Sequence, residues 1–304
     1  MSFIKLLEGV RTPFFDSLFS AITRLGEEAA LLFVVFLFLW CINKKCGYYL
    51  CALGVAAISS NLFLKMIFRV PRPWMLDPSF EIVESARAGA TGYSFPSGHT
   101  QISVGVYGGI ARESKNKTVR LFCIVTAVLV AFSRMYLGVH TLWDVLAGAL
   151  LSVSLIFIMH LAVGREMTAV KRMSLTYTLV AVFCIAYLAF LYLYPFPADV
   201  DAAEIYESIE NGYKILGIIP AMWFSYIVDE KYTRYNTSCI WWGQAIKIVL
   251  GVVITFTLKE VLKVPFSVLF GGHSVAGTFR YFIIAVFAGC IWPLTFKFYP
   301  ENKS

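Results

Sequence analysis

Ser133 and Arg134 are followed by five residues and His140, then by three more and Asp144. The stretch lies where one apolar run, about 119–138, ends and another, about 142–162, begins. Residues four apart share a helix face, so a helix beginning near His140 lets Asp144 reach back to the imidazole. A carboxylate there fixes the tautomer and makes the other ring nitrogen a better base or nucleophile. Arg134 adds a planar fork of donors that suits phosphate oxygens. The plainer reading is a polar cluster at a helix end, with His140 capping and Asp144 paired to Arg134.

Two further stretches enlarge the set. Lys65 is followed by six residues and then Arg72-Pro73, and Pro96-Ser97-Gly98-His99 opens another apolar run. Together the three stretches supply Lys65, Arg72 and Arg134 as cations and His99 and His140 as imidazoles. Ser97 and Gly98 fall at an expected helix N-terminus, where free backbone N–H groups favour an anion. The chain has only four His, and two of them are here. In this order and with these spacings, the stretches resemble the signature of the type-2 phosphatidic acid phosphatase superfamily. That family includes membrane lipid phosphatases, glucose-6-phosphatase and the vanadium haloperoxidases. The resemblance covers about residues 10–165, and all three motifs are intact.

Composition sets the solvent. The 304 residues are 59% hydrophobic and 15% charged, with a mean hydropathy of +0.71. Soluble domains carry about 25% charged residues, so a soluble haloperoxidase is excluded. Several runs approach the ~20 apolar residues needed to cross a bilayer. The expected fold is all-α: a polytopic membrane helix bundle with a phosphatidic-acid-phosphatase-like core and extra C-terminal transmembrane helices. The net charge of +7 is scattered between apolar runs, which points to basic cytoplasmic loops and not to nucleic acid. The seven Cys include no Cys-x-x-Cys pair and no zinc spacing, and they read as small buried apolar residues.

Along the chain, residues 1–24 mix apolar and charged side chains and lack the apolar core of a signal peptide. They read as an interfacial amphipathic segment broken near Pro13. Residues 25–195 read as a phosphatase core of six transmembrane helices, with runs near 27–43, 47–68, 99–112, 119–138, 142–162 and 175–195. Residues 196–304 read as an extension of about three, near 212–228, 241–261 and 279–298. With the motifs on one side, the opposite loops hold Lys44 and Lys45; Arg112, Lys115, Lys117 and Arg120; Arg165, Lys171 and Arg172; Lys231 and Arg234; and Lys297 and Lys303. The motif side carries Asp199, Asp201, Glu204, Glu207 and Glu210. The positive-inside rule makes the basic side cytoplasmic and turns the motifs outward, or into a lumen in a eukaryotic cell. In the extension, Gly271-Gly272-His273-Ser274 faintly echoes the Ser97-Gly98-His99 stretch. Helix–loop packing accounts for it better, and Gly212, Gly217, Gly243 and Gly251 suit close helix approach in a membrane.

The family resemblance implies metal-independent phosphoryl transfer through a phosphohistidine, with no cofactor. It implies His140 as nucleophile, Asp144 as its orienter and His99 as the acid that protonates the leaving alkoxide. Lys65, Arg72, Arg134, the Ser97 hydroxyl and the Gly98 N–H would then hold the phosphate oxygens in place of a metal clamp. The implied partners are the bilayer and a lipid phosphate, whose chain stays in the membrane while its headgroup enters the pocket. Phosphatidate, phosphatidylglycerol phosphate, isoprenoid (pyro)phosphates and sphingoid phosphates all qualify. Tyr93-Ser94-Phe95 and Tyr136-Leu137-Gly138-Val139 look more like the sphingosine-phosphate and isoprenoid-phosphate branches. A phosphotransferase that resolves the same intermediate with a lipid or sugar hydroxyl is the alternative. A non-catalytic lipid transporter or scaffold is disfavoured, because every charged member of the motifs is present.

Overall fold

The computed structural model describes residues 1–161 and 169–300. Arg165 and Lys303, two of the basic loop residues named above, lie outside the described residues. Among the described residues every regular element is helical: α1 Ser2–Glu8, α2 Pro13–Thr23, α3 Glu28–Leu37, α4 Lys44–Phe68, α5 Pro73–Leu76, α6 Gly98–Glu113, α7 Lys117–Tyr136, α8 Leu142–Leu161, α9 Ala169–Leu193, α10 Ala202–Val228, α11 Trp241–Val261, α12 Lys263–Leu269 and α13 Ala276–Val286. Among the described residues, five helical segments are long and apolar enough to cross a membrane: Lys44–Leu76, Lys117–Tyr136, Leu142–His160, Val170–Leu193 and Ala276–Phe298. Pro13–Gly26 and Glu28–Ile42 qualify together as a sixth, bent pair. Helices also form at the remaining expected places. However, α6 has only 16 residues, short of the ~20 a span needs, and α10 begins with Glu204, Glu207 and Glu210. The chain is an all-α, multi-pass membrane protein.

The chain forms two compact units, residues 1–32 with 56–160 and residues 33–55 with 161–304. The first unit holds all three motifs. Local sequence starts its helices: the Thr12 hydroxyl accepts from Phe15 N with Pro13 at the first helical position, and the Asn116 side chain accepts from Thr118 N and Val119 N at the start of α7. On α7 and α8 the outward faces are apolar, with Phe122, Val128, Trp143 and Leu150 all at least 60% exposed. Such faces suit lipid, not water. The N-terminal segment is folded against the motif end of α7. Ile4 is buried with Phe80, Met135 and Val145, and the Phe19 ring packs, tilted, 4.4 Å from that of Tyr136. The break in this segment falls at residues 9–12, and Pro13 opens the second helix.

In the second unit, Gly217 lets α10 touch the α13 backbone at Thr278, and Gly251 leaves room for the Trp40 and Trp292 rings. Lys44 pairs with buried Asp229 at 2.8 Å and Lys45 with Glu230 at 3.5 Å. Two loops that charge assigned to the same side therefore meet. Among the described residues no disulfide joins any of the seven Cys.

Candidate active site

The three motif stretches converge at one end of the first unit. The helix expected near His140 begins at Leu142 instead, because Thr141 takes the capping position. Thr141 Oγ1 accepts from Asp144 N at 3.3 Å, while Asp144 Oδ2 accepts from Thr141 N at 2.7 Å. That reciprocal pair is a capping box, and it leaves His140 in the link just ahead of α8. The link is tight because Arg134 O accepts from both Val139 N and His140 N. Gly138 turns the chain with φ +81, where a Cβ would also strike Arg11 Nη2 and the Phe80 ring.

His140 and Asp144 are each only 2% exposed. Nδ1 of His140 lies 3.6 Å from Asp144 Oδ2, and Ser94 bridges the gap. Ser94 Oγ donates to Asp144 Oδ2 at 2.7 Å and sits 3.3 Å from Nδ1. The other ring nitrogen, Nε2, is 3.0 Å from Arg72 Nη1. A guanidinium only donates, so Nε2 is the acceptor and Nδ1 carries the proton, which it directs at Ser94 and Asp144. Burial, and then the charges of Arg72, Arg134, Lys65 and His99, lower the His140 pKa well below its usual value. The imidazole thus stays neutral as pH falls through the range near 6.5 where free histidine takes up a proton.

Arg72 is itself held. Its Nε donates to Gly92 O, Nη2 to Thr91 O and Nη1 to Val139 O. The 69–97 loop is in turn pinned by Ser94 N donating to Val70 O and Val83 N to Leu137 O. Arg134 is 2% exposed and has one fixed contact, Nη1 donating to Thr23 Oγ1 at 2.7 Å. Among the described residues its Nε and Nη2 have no hydrogen-bond partner. A buried guanidinium with idle donors is costly unless an anion completes it. Ser97, fully buried, precedes α6 and donates its N–H to Asp144 O at 2.9 Å. Gly148 on α8 permits that approach, since a Cβ there would meet Ser97 O at 2.7 Å. Gly98 lies against Asn61 of α4, four residues before Lys65. His99 faces Gly26, whose missing Cβ would sit 3.5 Å from the ring.

The site also rests on residues outside the candidate set of the three motifs. Asn61 donates to Pro96 O and Gln101 Oε1, and Gln101 donates to Ala57 O and Ser60 Oγ. Both are amides inside apolar runs, a signal that was available. Ser94 had its place two residues before Pro96. Nothing in the sequence pointed to Thr23. His273 belongs to the second unit, in an exposed turn where its Nδ1 accepts from Val275 N.

The chain matches the PAP2 superfamily over residues 45–168, and the PAP2 superfamily phosphatase transmembrane extension over residues 213–302. It is 31% identical over 167 residues to phosphatidylglycerophosphatase B of Bacillus subtilis, covering 49% of this chain and 75% of that one. It is 28% identical over 161 residues to a probable sphingosine-1-phosphate phosphatase of Dictyostelium discoideum, covering 49% of this chain and 38% of the relative. An undecaprenyl-diphosphatase of Sulfolobus acidocaldarius is 34% identical over 110 residues, 36% of this chain and 51% of its own length. No solved structure matches. With the three motifs gathered at one helix-bundle end, and matches running through both the core and the extension, the chain belongs to the PAP2 superfamily.

Proposed function

We propose that the protein is an integral-membrane lipid phosphate phosphatase that works through a phosphohistidine on His140, without a metal. The observation that carries this is the charge balance of the buried site. Lys65, Arg72 and Arg134 all act on His140; Asp144 is the buried carboxylate beside them, and Glu27 acts on Arg134 from an exposed position. Three cations against the one buried anion leave an excess of two positive charges, which exposed Glu27 offsets only in part. A phosphomonoester carries about −1.5 to −2 at pH 7, which matches it. Among the described residues no group of three or more His, Cys, Asp or Glu could hold a metal ion.

Phosphate entry draws Arg72 Nη1 from Nε2 to an equatorial oxygen and exposes the Nε2 lone pair. Nε2 attacks phosphorus in line, the bond to the lipid oxygen breaks, and His99, which takes up a proton only once the bound phosphate offsets Arg134, Lys65 and Arg72 around it, gives that oxygen a proton. The proton on Nδ1 stays there, and the imidazolium-like charge is balanced by Asp144 through Ser94. Water then attacks the phosphoryl group, His99 takes its proton, and the N–P electron pair returns to Nε2. Lys65, Arg134 and the N–H groups at the start of α6, next to Ser97 and Gly98, hold the oxygens throughout. Relatives named for a sphingoid phosphate, a glycerolipid phosphate and an isoprenoid diphosphate support a lipid phosphate as substrate.

The test is phosphate release from a panel of those three lipid classes in detergent, with EDTA. Turnover is expected to persist in EDTA, since side chains supply the cations. Loss of activity on chelation with recovery on adding Mg²⁺ would refute the mechanism. Labelled phosphate passing to an added lipid alcohol instead of water would make the protein a transferase.

The catalytic end faces away from the cytoplasm on this proposal, because Arg112, Lys115, Lys117 and Arg120 lie at the other end of the helices that carry the motifs. In a cysteine-silent background, Asp201→Cys is expected to react with an impermeant thiol reagent in intact cells and Lys117→Cys is not. The reverse pattern would invert the topology.

A further inference from the structure

Helices α6, α7 and α8 carry the catalytic groups at one end. Around the other end they enclose a groove of about 620 Å³, within the range of pockets that bury a ligand. Small residues make the space: Gly108 on α6, Ala127 on α7 and Ala149 on α8 line it. Its mouth is apolar and open to the surroundings, with Ile124, Val128 and Phe157 each more than half exposed. The rim is charged. Arg112 ends α6, Arg120 begins α7, and His160 stands near the end of α8, against a single acidic side chain, Glu113. The Arg112 guanidinium lies 5.6 Å from the Phe157 ring, held beside the groove by a cation–π contact. Lys115 in the α6–α7 link and Lys117 at the start of α7 add to the same field.

An apolar slot open to the bilayer and closed by a basic rim is complementary to one kind of molecule, a lipid with an anionic head. His99 begins α6 and Arg112 ends it, so at 1.5 Å per residue the two lie roughly 20 Å apart. The headgroup of a lipid in the groove cannot be the one in the catalytic cradle. We propose that the groove is a binding site for a monoanionic glycerophospholipid of the leaflet opposite the catalytic end. One acyl chain lies along Gly108, Ala127 and Ala149, and the phosphodiester sits on Arg112 and Arg120. Three helices are shared between this site and the catalytic end, so an occupant here packs against the same elements that place His99, Arg134 and Asp144. The assignment depends on the helices spanning a bilayer and not on the catalytic mechanism.

The test is native mass spectrometry of the full chain in detergent, with excess orthophosphate to occupy the catalytic cradle. Phosphatidylglycerol and phosphatidylcholine of matched chains are the probes; both are diesters and neither offers a terminal phosphate to hydrolyse. One phosphatidylglycerol adduct is expected to bind more tightly than any phosphatidylcholine adduct. Arg112→Gln and Arg120→Gln are each expected to weaken it about 5-fold, and the double variant about 25-fold, with phosphatidylcholine unaffected. Ala149→Phe, whose ring enters existing space, is expected to remove the adduct with both arginines intact and thermal stability unchanged. Equal binding of the two lipids, or an adduct that survives the double arginine variant, would overturn the proposal. Because the arginines lie on the rim and are not core residues, that variant keeps the test decisive even if Ala149→Phe disturbs packing.

Discussion

His140→Ala is expected to lower turnover of a lipid phosphate by about 10³-fold or more, and by similar factors whatever the leaving group. The reason is the isolation of Nε2. It is the one ring nitrogen whose lone pair is fixed toward the cations, with Nδ1 committed to Ser94 and Asp144. Alanine removes the atom that forms the covalent bond, and nothing at that position replaces it. His99→Ala should behave differently. An acid matters in proportion to the basicity of what leaves. With a lipid alkoxide the loss should be on the order of 10²–10³, and with p-nitrophenyl phosphate it should be small, because that phenolate departs unprotonated. Steady-state rates for two variants on two substrates separate the roles. Equal losses for His99→Ala on both substrates would remove it from the acid role.

Asp144→Asn is expected to cost about 10³- to 10⁴-fold with the fold intact. One oxygen, Oδ2, serves Thr141 N, Ser94 and His140 together, so an Asn that places its carbonyl oxygen there keeps both the capping box and the Ser94 contact. What it loses is the negative charge that holds the proton on Nδ1 and balances the positive charge developing on the ring. Ser94→Ala should be far milder, about 10-fold, because Asp144 remains 3.6 Å from Nδ1 and keeps the tautomer by charge alone. Far-ultraviolet circular dichroism and thermal unfolding should match the parent in both variants. A Ser94→Ala loss as large as that of Asp144→Asn would mean that the orienting group is the serine.

Much of this site was legible because its chemistry is local in sequence. Spacing alone set His140 four residues from Asp144, and the ordered motifs carried Lys65, Arg72, Ser97, Gly98, His99 and Arg134. Apolar run length gave the helices, since a bilayer leaves the backbone few other choices. What the sequence hid are the partners that depend on tertiary approach. Thr23 lies 111 residues from Arg134, and no local pattern marks a threonine as the group that will orient a distant arginine. Ser94 was visible as part of a motif, but its insertion between His140 and Asp144 follows from how the 69–97 loop folds back. α8 starts at Leu142, where the apolar run begins, and leaves His140 just ahead of it because Thr141 and Asp144 cap each other. The division into units follows the chain's packing and not its order, with α4 contributing to both.

The covalent step is the centre of this account, and rapid quench with a lipid phosphate labelled in its phosphoryl group tests it most directly. The account predicts a transient protein-bound label that is stable to alkali, labile to acid, insensitive to EDTA and confined to the peptide bearing His140. Release of labelled phosphate at the full rate with no such adduct, or an adduct that persists in His140→Ala, would contradict it.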